Sequence, residues 1–174
     1  MLHDDARDAL LALGLPVGFD EPLASHCSFG VGGPADVYAA GLGGDQETAL
    51  LAWARAHKVA LTRWTGTDNL IVADAGIKGL VIGPVEVEGG QGRTLFAEPA
   101  RGESVDAMVS RAGMRGVRVR GARISPDDGN RVENVGDATA QDVLLLMDSV
   151  RRRVARDWGI QLVDELVLIG RRRG

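Results

Sequence analysis

An α+β fold in two small lobes is what this 174-residue sequence predicts, and three observations predict it. Residues 37–87 alternate short apolar runs with one amphipathic helix, in the manner of a βαβ unit. A glycine-rich break, Gly89-Gly-Gln-Gly-Arg93, then reads as a linker. The charge balance changes at the same place: residues 1–94 hold 6 basic and 12 acidic side chains, residues 95–174 hold 14 and 12. The predicted lobes are therefore residues 1–90 and 95–174, and a cleft between them is the expected ligand site.

The elements follow in order. Asp4 to Leu13 reads as a helix with Ala6, Ala9, Leu10 and Leu13 on one stripe, ended by Gly14 and Pro16. Residues 28–36 form a glycine-rich turn before a strand at Val37–Ala40. A second helix is expected from an N-cap at Asp45 to about His57. Strands are expected at Val59–Trp64, Leu70–Ala73, Leu80–Ile82 and Val85–Val87. Ser104 then caps a helix with Val105, Met108, Val109 and Ala112 inward, stopped by Gly113. A strand at Val117–Val119 precedes the capping box Thr139-x-x-Asp142. That box opens the longest helix, whose apolar face is Val143, Leu146, Met147, Val150, Val154 and Trp158, with Gly159 as its stop. Strands at Ile160–Val163 and Leu166–Ile169 finish the chain.

Composition narrows the function classes. Hydrophobic residues make up 45% and charged residues 25%, which excludes a disordered or collagen-like chain. No apolar run approaches the roughly 18 residues of a membrane span. The acidic start Met1-Leu2-His3-Asp4-Asp5 is unlike an export signal, and a single cysteine, Cys27, suits a reducing compartment, so a cytoplasmic protein is expected. One cysteine and three scattered histidines predict no metal site. A net charge of −4 opposes nucleic-acid binding. The basic charge of residues 95–174 is all arginine, which suits a small anion or simply reflects composition. The expected partner is a small-molecule ligand, with no nucleic acid and no membrane; association into a homo-oligomer stays open.

Two glycine motifs bear on cofactors. Gly30-x-Gly32-x-x-Ala35 has the letters of a dinucleotide fingerprint but is interrupted by Pro34 and leads into a strand rather than a helix. Thr65-Gly-Thr-Asp-Asn69 is a turn between two apolar runs, able to present backbone N–H groups to a phosphate or to serve as a plain turn.

Taken in order, these segments resemble a shortened UDP-N-acetylenolpyruvoylglucosamine reductase, the MurB flavoenzyme family. Ser28-Phe-Gly-Val-Gly-Gly-Pro-Ala-Asp36 is similar to the family's Thr-Phe-x-Ile-Gly-Gly-Pro-Ala-Asp. Residues 64–74 are similar to its flavin turn. Residues 112–125, 136–143 and 159–170 are similar to its C-terminal substrate domain. The resemblance implies half of an FAD-binding domain followed by the substrate domain. It implies a flavin turn at Gly66, Thr67, Asp68 and Asn69, and substrate contacts at Ser125, Arg131 and Asn134. It also implies a catalytic carboxyl at Glu165, which without the family's Ser would work alone or with a carboxylate of the Asp127–Asp128 turn, Asp128 being the candidate.

The departures point elsewhere. Residue 88 passes through the glycine linker almost directly to Pro99, so the family's long central block is missing. Thr67 and Asp68 replace a Gly and a Ser of the flavin turn, and a carboxylate beside a pyrophosphate repels it. Asp128 and Arg131 replace a His and a Phe. The expected function is therefore a cofactor-independent acid/base enzyme, an isomerase or cyclase, working in the cleft with no cofactor. The alternatives are a residual FAD-dependent reductase and a non-catalytic binding or regulatory remnant. For the acid/base reading, Glu165 should be partly buried and should line the cleft. Burial and the neighbouring Asp164 would raise its pKa, or the two carboxylates would simply be solvated in a hairpin, facing opposite ways.

Overall fold

The computed structural model describes residues 2–64, 69–85 and 94–170. The elements are α1 (Asp4–Ala12), β1 (Val17–Pro22), a 3₁₀ turn (Leu23–His26), β2 (Pro34–Ala39), α2 (Gly44–Ala56), β3 (Leu61–Arg63), β4 (Leu70–Val72) and β5 (Ile77–Ile82). They continue with α3 (Val105–Arg111), β6 (Arg118–Val119), β7 (Ala122–Ile124), β8 (Val132–Asn134), α4 (Ala140–Trp158) and β9 (Val167–Ile169). The α+β class expected from the sequence is the one observed.

The first sheet has the order β1-β2-β5-β3. β1 runs antiparallel to β2, while β2 and β3 both run parallel to the central β5. Side chains of successive strand residues face opposite ways, so each strand feeds two cores. Val37, Ala39, Leu80 and Ile82 pack under α1 and α2 with Leu10, Leu50 and Trp53. Tyr38 and Val81, from the same strands, face the other side with Leu23, Trp64, Leu70 and Val72. The Trp53 indole N–H donates to the Ala6 carbonyl at 2.9 Å and so fixes α1 against α2.

The second half builds the three-stranded antiparallel sheet β6-β7-β8 and packs α3 and α4 on it. The inward face of α4 is the expected one: Val143, Leu146, Met147, Val150 and Val154 are all buried. Thr139 and Asp142 form the expected capping box, and Gly159 closes the helix in the left-handed region at φ 70°. Ser104 caps α3 by accepting from the Ala107 N–H.

The two halves interpenetrate. Cys27, Phe29, Val31 and Ile71 belong to the same core cluster as α3 and α4. Strand β4 pairs in parallel with β9, Leu70 opposite Val167. Asp74, just beyond β4, accepts from the Ala140 and Gln141 N–H groups at 2.7 and 3.0 Å, the open N-terminus of α4. The segment 94–97 lies between the two chain stretches 130–131 and 163–165 and bonds to both.

The structure departs from the sequence reading in several places, beginning with α2, which is capped by Gly43 and not by Asp45. β1, β7 and β8 are strands that the apolar pattern did not mark. β1 has no clean alternation of burial, and β7 and β8 are three residues each with a charged centre, Arg123 and Glu133. Residues 160–163 form no strand; the segment contributes isolated contacts, such as the Ala97 N–H to Val163 O bond. The linker 89–93 and most of the expected strand Val85–Val87 lie outside the described residues.

The Asp74 cap is charge-assisted and meets a helix N-terminus, where an anion is favoured. Asp74→Ala is therefore expected to cost about 1–2 kcal/mol. Urea denaturation should show it as a lower midpoint with an unchanged slope.

Candidate functional site

The loop joining β7 to β8 is Ser125-Pro-Asp-Asp-Gly-Asn-Arg131, and it is held by its own hydrogen bonds. Ser125 is buried; its N–H donates to the Arg131 carbonyl at 2.9 Å and its Oγ accepts from the Asp127 N–H at 3.3 Å. Asp128 accepts from the Asn130 N–H at 2.9 Å. The Asn130 amide is buried and bonds the Phe96 backbone at both ends: Oδ1 accepts from its N–H at 3.0 Å and Nδ2 donates to its carbonyl at 2.8 Å. Below the loop, Arg115 forks onto Asp106, which also accepts from the Gly129 N–H.

This loop and β8 wall a cavity of about 350 Å³ lined by Ser125, Asp127, Asp128, Arg131, Val132, Glu133, Asn134 and Val135. Four of the residues singled out in the sequence, Ser125, Asp128, Arg131 and Asn134, are thus brought together. Asn134 spends its amide on the protein: Nδ2 donates to Gly30 O at 2.7 Å and Oδ1 accepts from the Gly136 and Ala138 N–H groups. Arg131 is exposed at the rim. Glu133, which the sequence reading passed over, is held below its ordinary pKa by hydrogen bonds from Arg123 and Ser125, against a smaller opposing effect of burial. It faces the cavity as a carboxylate, an acceptor rather than a proton donor. The Asp-Gly-Asn turn at 128–130 is the signal that could have revealed the hairpin and, with it, the position of Glu133.

Glu165 is elsewhere. It is exposed and is not among the residues lining this cavity. Its backbone N–H donates to Leu95 O, and its neighbour Asp164 pairs with Arg151 at 2.6 Å. The partial burial expected for this carboxyl is not found. It sits in an irregular stretch before β9, where Leu162 and Leu166 turn inward and the residues between them turn out.

Of the flavin turn, Gly66, Thr67 and Asp68 lie outside the described residues. Asn69 is described: its Nδ2 donates to Thr94 O at 2.6 Å, and its carbonyl accepts from the Val167 N–H. Its buried Oδ1 has no hydrogen-bond partner. The glycines of the neighbouring motif are closed by the chain itself. A Cβ on Gly33 would collide with the Asp74 backbone, and one on Gly76 with the Pro34 carbonyl. These glycines therefore serve close backbone packing between residues 33–34 and 74–76. Among the described residues no cluster of three or more His, Cys, Asp or Glu side chains could hold a metal ion, and no helix is long and apolar enough to cross a membrane.

Residues 90–169 match the family described as UDP-N-acetylenolpyruvoylglucosamine reductase, C-terminal domain. The reductase of that name from Desulfosudis oleivorans is 41% identical over 76 residues, which is 44% of this chain and 24% of that protein. The one from Lachnoclostridium phytofermentans is 48% identical over 77 residues, again 44% and 24%. The match thus spans about a quarter of the length of these relatives. The crystal structure of MurB from Thermus caldophilus superposes with a TM-score of 0.64 at 15% identity, over 90% of this chain and 99% of that one. Over its C-terminal region the chain is thus a divergent, partial match to UDP-N-acetylenolpyruvoylglucosamine reductase in sequence, and the structural likeness shows a shared fold.

The Arg123–Glu133 pair has a testable sign. A carboxyl whose pKa is lowered from its ordinary 4.5 on folding stabilises the protein above that pH. The contribution is lost as pH falls through the folded value. Arg123→Met should therefore lower stability at neutral pH, and variant and parent should converge in acid. Chemical denaturation at neutral and acid pH measures both limbs.

Proposed function

We propose that the chain is a small-molecule-binding protein on the scaffold of the reductase's substrate-side domain, acting without flavin. In this reading residues 95–174 form the binding lobe, and the ligand occupies the cavity of the 125–131 loop and β8. One observation carries it. Ser125, Asp128 and Arg131 line a common cavity, whereas Glu165 is exposed and outside that lining.

The chemistry of the lining selects the ligand class. Asp127, Asp128 and Glu133 offer carboxylate acceptors, and Arg131 stands at the rim. Such a wall repels a diphosphate at short range and accepts hydroxyl or amine donors. A hydroxyl-rich small molecule of the amino-sugar kind fits this pattern better than a nucleoside diphosphate sugar. A cofactor-free acid/base reaction would have to use the same cavity. There the ionised Glu133 could serve as a base, and Asp128 beside it as its partner.

Calorimetric titration with glucosamine, N-acetylglucosamine and UDP-N-acetylglucosamine tests the reading. An amino sugar is expected to bind, with Asp128→Asn or Arg131→Ala weakening it by about tenfold, roughly one charged hydrogen bond. Glu165→Gln should leave binding unchanged. Preference for the UDP-sugar would favour the reductase alternative instead.

The kinship also supports a flavin-dependent reductase, and colour separates the two readings. The purified protein is expected to be colourless. A flavin absorption spectrum at near one equivalent would overturn the flavin-free reading.

A further inference from the structure

Lysine is scarce in this chain. Of 20 basic residues only Lys58 and Lys78 are lysines. Both line one cavity of about 250 Å³, together with His3 and His57, two of the three histidines. Leu2, Ala6, Val59 and Ala60 supply its apolar wall, and Asp36 and Gly79 complete it. It lies in the first half of the chain, away from the 125–135 cavity in sequence and in lining residues.

The fold builds this convergence in three ways. Lys58 closes α2 in a paired C-terminal turn: its N–H donates to Arg55 O and the Val59 N–H donates to Ala54 O. That position needs a positive φ, and Lys58 holds it at 54°, where glycine is the ordinary occupant. Lys78 is the single exposed residue of β5. A register irregularity between β2 and β5, with the Gly79 N–H donating to Asp36 Oδ2 at 3.0 Å, accompanies its outward turn. His3 stands at the N-terminus of α1, held over α2 by the Trp53–Ala6 bond, and the His57 ring packs on Trp53 at 5.8 Å.

We propose that this cavity is a second binding site, for a small phosphate-bearing anion gripped between Lys58 and Lys78. Ammonium groups are compact point charges suited to phosphate, and the imidazoles add N–H donors. The histidines do not assemble a metal site, since no metal-type cluster exists among the described residues. Carboxylates also stand near. Asp4 and Asp5 lie in the first turn of α1, and Asp36 is already engaged with Gly79. They oppose diffuse attraction of anions, so binding depends on a ligand that reaches both lysines at once.

Titration of the full chain with inorganic pyrophosphate at low ionic strength tests this. Saturable binding of one equivalent is expected. The double variant Lys58→Gly/Lys78→Ala should weaken it by at least about tenfold, as for a lost charged contact. Lys58→Gly alone should weaken binding while raising the Tm, because glycine relaxes the positive φ. Arg131→Ala, in the other cavity, should leave pyrophosphate binding unchanged. Absence of saturable binding, or equal affinity in the double variant, would overturn the proposal. So would binding of several equivalents that sulfate at the same ionic strength displaces equally well.

Discussion

The Asp74 carboxylate at the N-terminus of α4 is the contact on which the rest of the architecture leans. A helix begins with N–H groups that have no partner inside the helix. Here Thr139 satisfies the Asp142 N–H from within, and Asp74 satisfies two more from 66 residues away. The partial positive charge of the helix end and the negative carboxylate attract each other as well. Because Asp74 follows directly on β4, the cap also sets where β4 can run. Its partner is β9, the last strand of the chain, and the Ala73 N–H bonds to Ile169 O in the same line. One carboxylate thus joins an early strand, the longest helix and the final strand.

The same logic explains the loop above the first cavity. A seven-residue connection between two three-residue strands would be floppy without internal support. Asn130 supplies that support by pairing with both backbone groups of Phe96, as a strand neighbour would. Asp106 does so from below, where Arg115 neutralises it. Its carboxyl is held below the usual range by Arg115 and the Gly129 N–H. The polar lining of the cavity is therefore presented by a turn whose own hydrogen bonds are already satisfied, as a binding wall requires.

Much of this was legible in the sequence, for identifiable reasons. Long periodic segments read correctly: α4 shows its buried face, its capping box and its glycine stop in the letters alone. Ser125, Asp128, Arg131 and Asn134 fall around one cavity because they belong to one short hairpin. What the letters hid was contact between distant segments. Nothing local marks Asp74 as the cap of a helix beginning at residue 140. The strands β7 and β8 are too short for periodicity, and their centres, Arg123 and Glu133, pair with each other across the sheet. The convergence of Lys58 and Lys78 depends on a helix stop and a strand irregularity, and neither has a sequence period.

Glu165 and Glu133 together show why a matching letter is a weaker guide than its surroundings. Glu165 matches by position, but its carboxyl is exposed to water and outside the cavity lining. Glu133 matches nothing in the motifs, yet it faces the cavity and has its charge fixed by Arg123 and Ser125. A group that must donate a proton near neutral pH needs burial or a like charge beside it. Glu133 lacks that setting, because a cation and a hydroxyl hold it ionised. Proton donation from Glu133 would demand a change of surroundings on ligand binding. Recognition of hydroxyl or amine donors by an ionised Glu133 demands none, and on that difference the binding reading rests.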